Sequence, residues 1–480
     1  MEPTTEFERQ LLARISELER LLKAALDANP DLSSRLKVAE SRIVELEALL
    51  RTNSQNSSKP PSTDGFHRAT PPKAVTGRKA GGQPGHKGST RDLVPEDLVD
   101  QLVDLDPSKC VHCSTPLEDA PRLDAEIRQF TELPPAKPVV TQVKLYRKRC
   151  PKCGGFSRAK FPSGLPTGGF GPGLQALVAL LSSQYCLSRR DVSDLLLSVF
   201  GIRMGIASVQ ACCESVSDAV ASTHAHLHDA LKASPIVHAD ETGFGECGDS
   251  RMWLWAAQAP GIEVFRLQPG RGQPQAKDLL GEDFNGIIHR DRWRPYESIK
   301  SARSQLCWAH IRRHFQAMVE SPEATAIFGR GLMEMSNEMF HHWHLFQEGE
   351  IDRQKLALAI EPIQYRMRAC LELASQDDKV ASKAQGIARD LLRQWKSLWT
   401  FVSQPGVVPT NNAAEQAVRK AVLWRKGSFG CNSDAGCRYV ERMLTLIGTA
   451  RLRGIGLLNW MTKAVNAQLQ GMPAPEFTGV

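Results

Sequence analysis

Residues 51–92 limit how this chain can fold, because their composition cannot form a hydrophobic core. The segment is rich in Ser, Pro, Gly and Lys and poor in large apolar residues, which leaves too little apolar surface to offset the entropy of ordering. Within it, GRKAGGQPGHKG places small residues between cations that include Lys79 and Lys87. We expect a flexible basic linker that lies along a polyanion; a merely solvated tether is the alternative.

The residues before this linker have the pattern of a coiled coil. Apolar residues recur with alternating spacings of four and three before the break at Asn29-Pro30, and the pattern resumes after it: Leu11, Ile15, Leu18, Leu22 and Ala25, then Leu36, Ala39, Ile43, Leu46 and Leu50. This pattern predicts two helical segments separated by a Pro kink, with self-association as the natural use of the apolar seam. The alternative is an amphipathic helix pair that packs on its own domain.

Two CxxC pairs follow the linker. Cys110 and Cys113 form CVHC, and Cys150 and Cys153 form CPKC. Two such turns supply four thiolates for a structural Zn²⁺ that stabilises a small domain. A strand-like run, QVKLYRKR, leads into the second pair, and the cations here are the DNA-contact candidates Arg147, Lys148, Arg149 and Lys152. A structural zinc without a DNA role is the alternative.

The overall composition excludes some classes of protein. The chain has 480 residues, 41% hydrophobic and 24% charged, with no apolar run long enough to cross a bilayer. The N-terminus MEPTTEFERQ does not resemble a secretory signal. Most of the cysteines are scattered singly, which favours a reducing compartment. We therefore expect a cytoplasmic, nucleoid-associated protein without a membrane role.

From Pro235 the sequence changes to strand-like segments. PIVHADETGFG reads as a short strand that ends in acidic residues, and RMWLWAAQ and IEVFRLQPG complete an antiparallel meander. A helix (QAKDLLGEDF) and a fourth strand (GIIHRDRWRPY) follow. Asp240 and Asp291 would then lie at the C-terminal ends of two strands, where ligand-binding groups commonly occur in α/β sheets.

A third acid is predicted on a helix. Thr410, Asn411 and Asn412 are capping residues before a helix through Ala413 to Trp424, and Glu415 lies in its first turn. Three carboxylates on such a framework hold two divalent metals about 4 Å apart for in-line displacement at phosphorus. Oxygen ligands suit Mg²⁺, with Mn²⁺ as a substitute.

Several of these motifs, in this order, resemble bacterial transposases of the insertion sequence 66 family. The matching stretches are NSSKPPSTD, GGQPGHKG, CVHC with CPKC, HADETGF with MWLW, CWAHIRRHF, and NNAAEQAVRKAVLWRKGSFGCNSDAGCRYVER. The resemblance implies an RNase H-like catalytic domain with a helical insertion. It also implies that Asp240, Asp291 and Glu415 are the acidic triad, and that other proteins encoded by the element assist.

One departure from the family pattern concerns Asp291, because Arg292 and Trp293 follow it where the family has Gly and an aromatic residue. Asp283 is the nearest rival for the second ligand. We expect Glu241 to face away from Asp240 and Glu441 to pair with nearby arginines.

The segment CWAHIRRHF and the region after Glu415 are also chemically informative. Cys307, His310 and His314 have a spacing compatible with a metal, but a packed helix with Arg312 and Arg313 toward DNA is favoured. Residues 416–453 carry eight basic residues against Asp434 and Glu441. We expect DNA contacts from Arg419, Arg425 and Lys426; a solvated helix face is the alternative.

The predicted architecture is a multidomain α/β chain: an RNase H-like catalytic domain with a helical insertion, an N-terminal coiled coil and a small zinc-binding domain. Its parts are the coiled coil (1–50), the linker (51–99), the four-cysteine domain (100–165), a helical connector or helix-turn-helix (166–232), the first catalytic part (233–300), the insertion (301–400), the second catalytic part (401–465) and a tail (466–480).

These features predict a DNA transposase that binds double-stranded element ends and target DNA and acts as at least a homodimer. Two alternatives remain open. One is a catalytically inactive, zinc-dependent DNA-binding regulator. The other is a nuclease for RNA–DNA hybrids, which would not need the N-terminal recognition region.

Overall fold

A computed structural model describes residues 6–27, 34–43, 92–134, 136–247, 250–299, 303–428 and 431–478. It divides into two compact units. The larger comprises Met1–His67, Lys160–Val192 and Gly205–Val480, and the smaller comprises Arg68–Ala159 and Ser193–Met204. The predicted linker contacts Lys79 and Lys87 lie outside the described residues. Within the described part, no helix is both long and apolar enough to span a membrane.

The N-terminal helices expose the apolar residues of the predicted seam. Helix α1 runs from Glu6 to Asp27, and residues 34–43 form α2. Leu11 and Leu18 are each 51% exposed, and Leu22 is 58% exposed. Pairing of α1 with a second copy in a coiled coil therefore remains a prediction. Leu46 and Leu50 lie outside the described residues.

The larger unit is built on a five-stranded mixed sheet. Its strands are β3 (Ile236–Cys247), β4 (Ser250–Ala259), β5 (Ile262–Pro269), β6 (Ile287–Arg290) and β7 (Arg303–Leu306), in the spatial order β5-β4-β3-β6-β7. The first three strands are antiparallel, which confirms the predicted meander. β6 pairs parallel with β3, and β7 pairs parallel with β6.

The prediction of a short strand that ends at the acidic residues is wrong about the length of β3. β3 continues to Cys247 because Glu241 to Cys247 keep pairing with β4, up to Cys247 opposite Ser250. A bulge between Gly243 and Gly245 interrupts this pairing. Asp240 is therefore inside β3, although it lies beyond the part of β3 that pairs with β6.

The larger unit also contains helices α3 (Pro172–Ser183), α5 (Ile206–Ala219), α6 (Ala221–Lys232), α7 (Gln273–Leu280), α14 (Asn412–Ser428), α15 (Asp434–Arg453) and α16 (Leu457–Leu469). Helix α4 (Arg189–Phe200) lies mostly in the smaller unit. Within the predicted helical connector, α5 and α6 are separated at Val220, whose backbone leaves the helical conformation. Helix α14 confirms the predicted Glu415 helix and extends to Ser428.

Helix α15 covers the edge of the sheet at β5. The backbone N–H groups of Glu263, Phe265 and Leu267 donate to side chains of α15: Thr449 Oγ1 at 3.0 Å, Thr445 Oγ1 at 3.0 Å and Glu441 Oε1 at 2.6 Å. A four-residue step on a helix and a two-residue step on a strand are both about 6 Å, so the two series match. Glu441 also forms the expected ion pairs, with Arg266 and Arg438.

The segment after β7 is helical. It comprises α8 (Trp308–Val319), α9 (Glu323–Gln347), α10 (Arg353–Gln376), α11 (Ser382–Arg393) and the short α12 (Trp395–Leu398) and α13 (Thr400–Ser403). Buried residues such as Trp308, Phe315, Leu332, Ile363 and Phe401 form one hydrophobic core, which continues to Ile287 and Leu306 of the sheet.

The smaller unit contains a short hairpin. β1 (Arg147–Arg149) pairs antiparallel with β2 (Phe156–Arg158). Only three residues of the predicted QVKLYRKR strand are therefore in a strand, because β2 offers only three partners.

Candidate active site

Asp240 and Asp291 occupy equivalent positions on adjacent parallel strands. The last residue pair between β3 and β6 is His238 with His289; Asp240 lies two residues further along β3, and Asp291, two residues after His289, directly follows the end of β6. Side chains two residues apart in a strand share a face. The two carboxylates therefore extend from the same end of the parallel pair, as the sequence indicated.

Asn411 fixes the start of the helix that carries Glu415. Its side-chain amide donates to the carbonyl of Ala239 at 2.8 Å, and its backbone N–H donates to Cys307 Sγ at 3.3 Å. His238 Nδ1 lies 3.0 Å from the Asn411 amide oxygen. Asn411 is 1% exposed, so these contacts hold the N-terminus of α14 against β3, next to Asp240.

The three acids act on one another electrostatically. Burial raises the pKa of Asp240 well above its usual value, and the neighbouring carboxylates of Glu241, Asp291 and Glu415 raise it further. The backbone N–H of Glu241 donates to Asp240 Oδ1 at 2.9 Å and partly opposes this shift. Carboxylates that lie close together at a poorly solvated site favour either protonation of one of them or binding of a cation.

Glu241 has different partners from Asp240. Tyr296 donates its hydroxyl proton to Glu241 Oε2 at 2.6 Å, and Arg271 Nε donates to Oε1 at 2.8 Å. The Glu241 side chain is buried. These contacts fit a structural ion pair, and the same Arg271 also lies 3.9 Å from Asp291 Oδ2. That Glu241 faces away from Asp240 stays a prediction.

The residues around Asp291 show how the chain accommodates its departure from the family pattern. Asp291 Oδ1 accepts a hydrogen bond from the Trp293 N–H at 2.7 Å, and Arg271 lies over the Trp293 ring at 4.2 Å. Arg292 forms an ion pair with Asp390 at 2.9 Å, and the buried Arg290 donates to the Asp291 carbonyl. The turn after Asp291 is thus anchored by side chains that Gly would not provide.

The rival second ligand, Asp283, lies elsewhere. It is exposed in the connection between α7 and β6, and it is not among the groups that shift the pKa of Asp240. The geometry therefore favours Asp291.

His310 and Cys307 approach Glu415 from α8. His310 Nδ1 lies 3.4 Å from Glu415 Oε1, and the Cys307 thiol lies 3.8 Å from the same oxygen. Within the described residues, these three side chains are the one group of three or more His, Cys, Asp or Glu whose ligand atoms come close enough for a single metal. The sequence singled out Cys307 and His310 but gave no reason to join them to Glu415.

The comparison with known families assigns the chain to a family. The Transposase IS66 family matches residues 167–439, a range that contains β3, β6, α8 and α14 and more than half of the chain. The chain belongs to the IS66 family of transposases. Residues 2–92 match a second family, described only as of unknown function.

Curated relatives of this IS66-family chain come from Sinorhizobium fredii strain NGR234. The uncharacterized protein y4qI is 26% identical over 282 residues, which cover 52% of this chain and 51% of y4qI. The uncharacterized protein y4hP is 23% identical, with 78% of this chain and 73% of y4hP covered. The chain thus spans about half the length of y4qI.

The predicted DNA contacts near the IS66-family site differ in exposure. Arg419 and Lys426 of α14 are exposed, whereas Arg425 is half-buried and donates to the carbonyl of Gly243 on β3. Arg312 turns toward α9, where it donates to Ser336 Oγ and lies over the Phe340 ring, and Arg313 is half-buried. The exposed pair on α14 is the better placed for a polyanion.

The cysteine pairs form two similar turns in the smaller unit. The Ser114 N–H donates to the Cys110 carbonyl, and the Gly154 N–H donates to the Cys150 carbonyl, both at 2.9 Å. Hydrogen bonds, from Thr115 first, lower the pKa of Cys113, and the Cys153 backbone N–H is the first cause that lowers the pKa of Cys150.

Each pair comes together, but in the described residues the four thiols do not form one group. The basic residues beside the second pair, Arg147, Lys148, Arg149 and Lys152, are all exposed.

Proposed function

We propose that this IS66-family member is a DDE transposase that cleaves DNA at element ends and joins the freed end to target DNA. The observation that carries the proposal is the convergence of Asp240, Asp291 and Glu415. Asp240 on β3 and Asp291 just after β6 lie at equivalent positions of a parallel strand pair, and the charges of Asp291 and Glu415 both raise the pKa of Asp240. A sheet with three antiparallel strands followed by two parallel ones supports an RNase H-like catalytic core.

The residues fit divalent metal binding. Carboxylate oxygens are the ligands that Mg²⁺ and Mn²⁺ prefer. Burial and the neighbouring carboxylates raise the pKa of Asp240, and Arg271 lies 3.9 Å from Asp291 Oδ2; bound divalent ions would stabilise the remaining negative charge. Asp240, Asp291 and Glu415 would hold two such ions, which when bound activate the attacking oxygen and stabilise the leaving 3′ oxygen.

The chain itself positions and neutralises the DNA. In the first step a water oxygen bonds to phosphorus and the bond to the 3′ oxygen breaks, which frees a 3′ hydroxyl. In the second step that hydroxyl attacks a target phosphate and displaces another 3′ oxygen. Both steps depend mainly on alignment and charge neutralisation. Arg419 and Lys426 lie on the helix of Glu415, where their charges suit a DNA backbone at the site.

The N-terminal parts would supply recognition and pairing. Cys110, Cys113, Cys150 and Cys153 would bind one structural Zn²⁺ only if the two pairs, which are separate in this structure, close on a common ion. The cations of β1 would contact element ends together with the basic linker. The exposed seam of α1 would pair two copies. Zinc content of the purified chain, compared with a Cys110→Ser/Cys150→Ser variant, tests the metal; equal content in both would refute the four-thiolate assignment.

Magnesium-dependent cleavage of labelled element-end DNA tests the function. We expect Asp240→Ala and Glu415→Ala to abolish cleavage but retain DNA binding in a gel-shift assay, because the triad acts on the reacting phosphate and most of the affinity comes from cations elsewhere. Normal cleavage by either variant would refute the assignment. Magnesium-dependent cutting of RNA–DNA hybrids, without action on element ends, would favour a hybrid nuclease.

A further inference from the structure

His310 stands next to the proposed metal ligand Glu415 without an ordinary hydrogen-bonding partner. Its Nδ1 is buried, and within the described residues no partner meets hydrogen-bond geometry. The nearest acceptor is Glu415 Oε1 at 3.4 Å. Hydrogen bonds in active sites are often long in the unbound enzyme and shorten when the complete site assembles.

Hydrogen bonds connect the start of α8, the helix of His310, to the segment just before α14, the helix of Glu415. The Trp308 N–H donates to the Pro409 carbonyl at 3.0 Å, and the Asn411 N–H donates to Cys307 Sγ at 3.3 Å. These bonds join the start of α8 to the segment just before α14. Cys307 is the residue just before α8, and His310 lies in the first turn of that helix; both side chains approach Glu415 Oε1.

We propose that His310 is a positioning residue that holds Glu415 Oε1 through its Nδ1–H and thereby leaves Oε2 to bind the divalent metal. Cys307 supports the same oxygen through its thiol. This inference rests on the proposed function, because it takes Glu415 as a metal ligand. A partner that orients a ligating carboxylate typically contributes 10- to 100-fold in metal affinity.

Direct Mn²⁺ binding, followed by electron paramagnetic resonance on the full chain without DNA, tests the proposal independently of activity. We expect His310→Ala to weaken Mn²⁺ binding about tenfold or more. We expect His310→Asn to restore part of it, since the Asn amide N–H reproduces the position of Nδ1–H. His314→Ala is the matched control: His314 is a half-buried histidine one turn later in α8, and its loss should leave Mn²⁺ affinity unchanged.

The outcomes separate this inference from the proposed function. Wild-type affinity in His310→Ala, while Glu415→Gln loses Mn²⁺, would overturn the role of His310 alone. Unchanged affinity in Glu415→Gln would overturn the metal role of Glu415 and, with it, that of His310. Equal losses in His310→Ala, His310→Asn and His314→Ala would show that α8 matters only for packing, which would also refute the proposal.

Discussion

Asp240 combines two conditions that each disfavour a negative charge. It is held in a poorly solvated part of β3, and three other carboxylates act on it. A carboxyl group whose pKa is raised by folding reduces the stability of the fold wherever it is ionised in the unfolded chain, that is, above about pH 4. The metal-free protein should therefore lose stability through this group as pH rises from about 4 toward the raised pKa.

We expect Asp240→Asn to stabilise the metal-free protein at pH 7.5 while it abolishes cleavage. Removing the ionisable group removes this cost, and single stabilising substitutions commonly contribute about 0.5–2 kcal/mol. Denaturant unfolding in the presence of EDTA measures it. Asp283→Asn, at an exposed acid, is the control and should change stability by less than about 0.5 kcal/mol. A loss of stability in Asp240→Asn would contradict the electrostatic account.

At the scale of elements, close packing of α9 against α8 fixes the position of α8. Gly329 of α9 lies so near α8 that a Cβ atom there would come within 2.5 Å of the Val319 backbone nitrogen and 2.8 Å of the Met318 carbonyl carbon. Gly331, two residues later on the same helix, has open space at its Cβ position. Substitution at Gly329 therefore tests helix packing, whereas substitution at Gly331 tests helix propensity alone.

We expect Gly329→Ala to destabilise the protein by about 1–3 kcal/mol, because backbone atoms cannot move aside as a flexible side chain would. Gly331→Ala should instead stabilise it by up to about 1 kcal/mol through helix propensity. Urea unfolding of both variants measures the difference. Equal effects would show that α8 and α9 do not approach as closely as described.

Local patterns account for much of the fold. The alternation in HADETGF and MWLW predicted the meander, and the capping residues before Ala413 predicted the helix of Glu415. Long-range arrangements were not predictable in the same way. Thr445 and Thr449 cover β5, and His310 approaches Glu415; both contacts join segments more than 100 residues apart. No periodicity in either segment indicates which segment it will contact.

At the scale of the whole molecule, the exposed apolar seam of α1 needs a partner. Leu11, Leu18 and Leu22 remain about half exposed in the single chain, and a matching helix from a second copy would cover them. Such pairing would place two copies of the proposed active site in one assembly, which would suit the proposed action on both ends of an element.

We expect Leu18→Asp to shift the protein toward monomer, because a buried unpaired charge is costly at the centre of a coiled-coil seam. Sedimentation equilibrium measures the change in mass. Ala13→Asp adds the same charge to α1 away from the seam and should leave the oligomer intact. A monomeric wild type, or equal dissociation by both variants, would refute pairing through α1.

The central claim is that Asp291 completes a metal-binding triad with Asp240 and Glu415. Its most direct test is Mg²⁺-dependent cleavage of labelled element-end DNA by wild type, Asp291→Asn and Asp283→Asn. We expect cleavage by wild type and Asp283→Asn and none by Asp291→Asn. Cleavage by Asp291→Asn together with its loss in Asp283→Asn would move the second ligand to Asp283 and contradict the account.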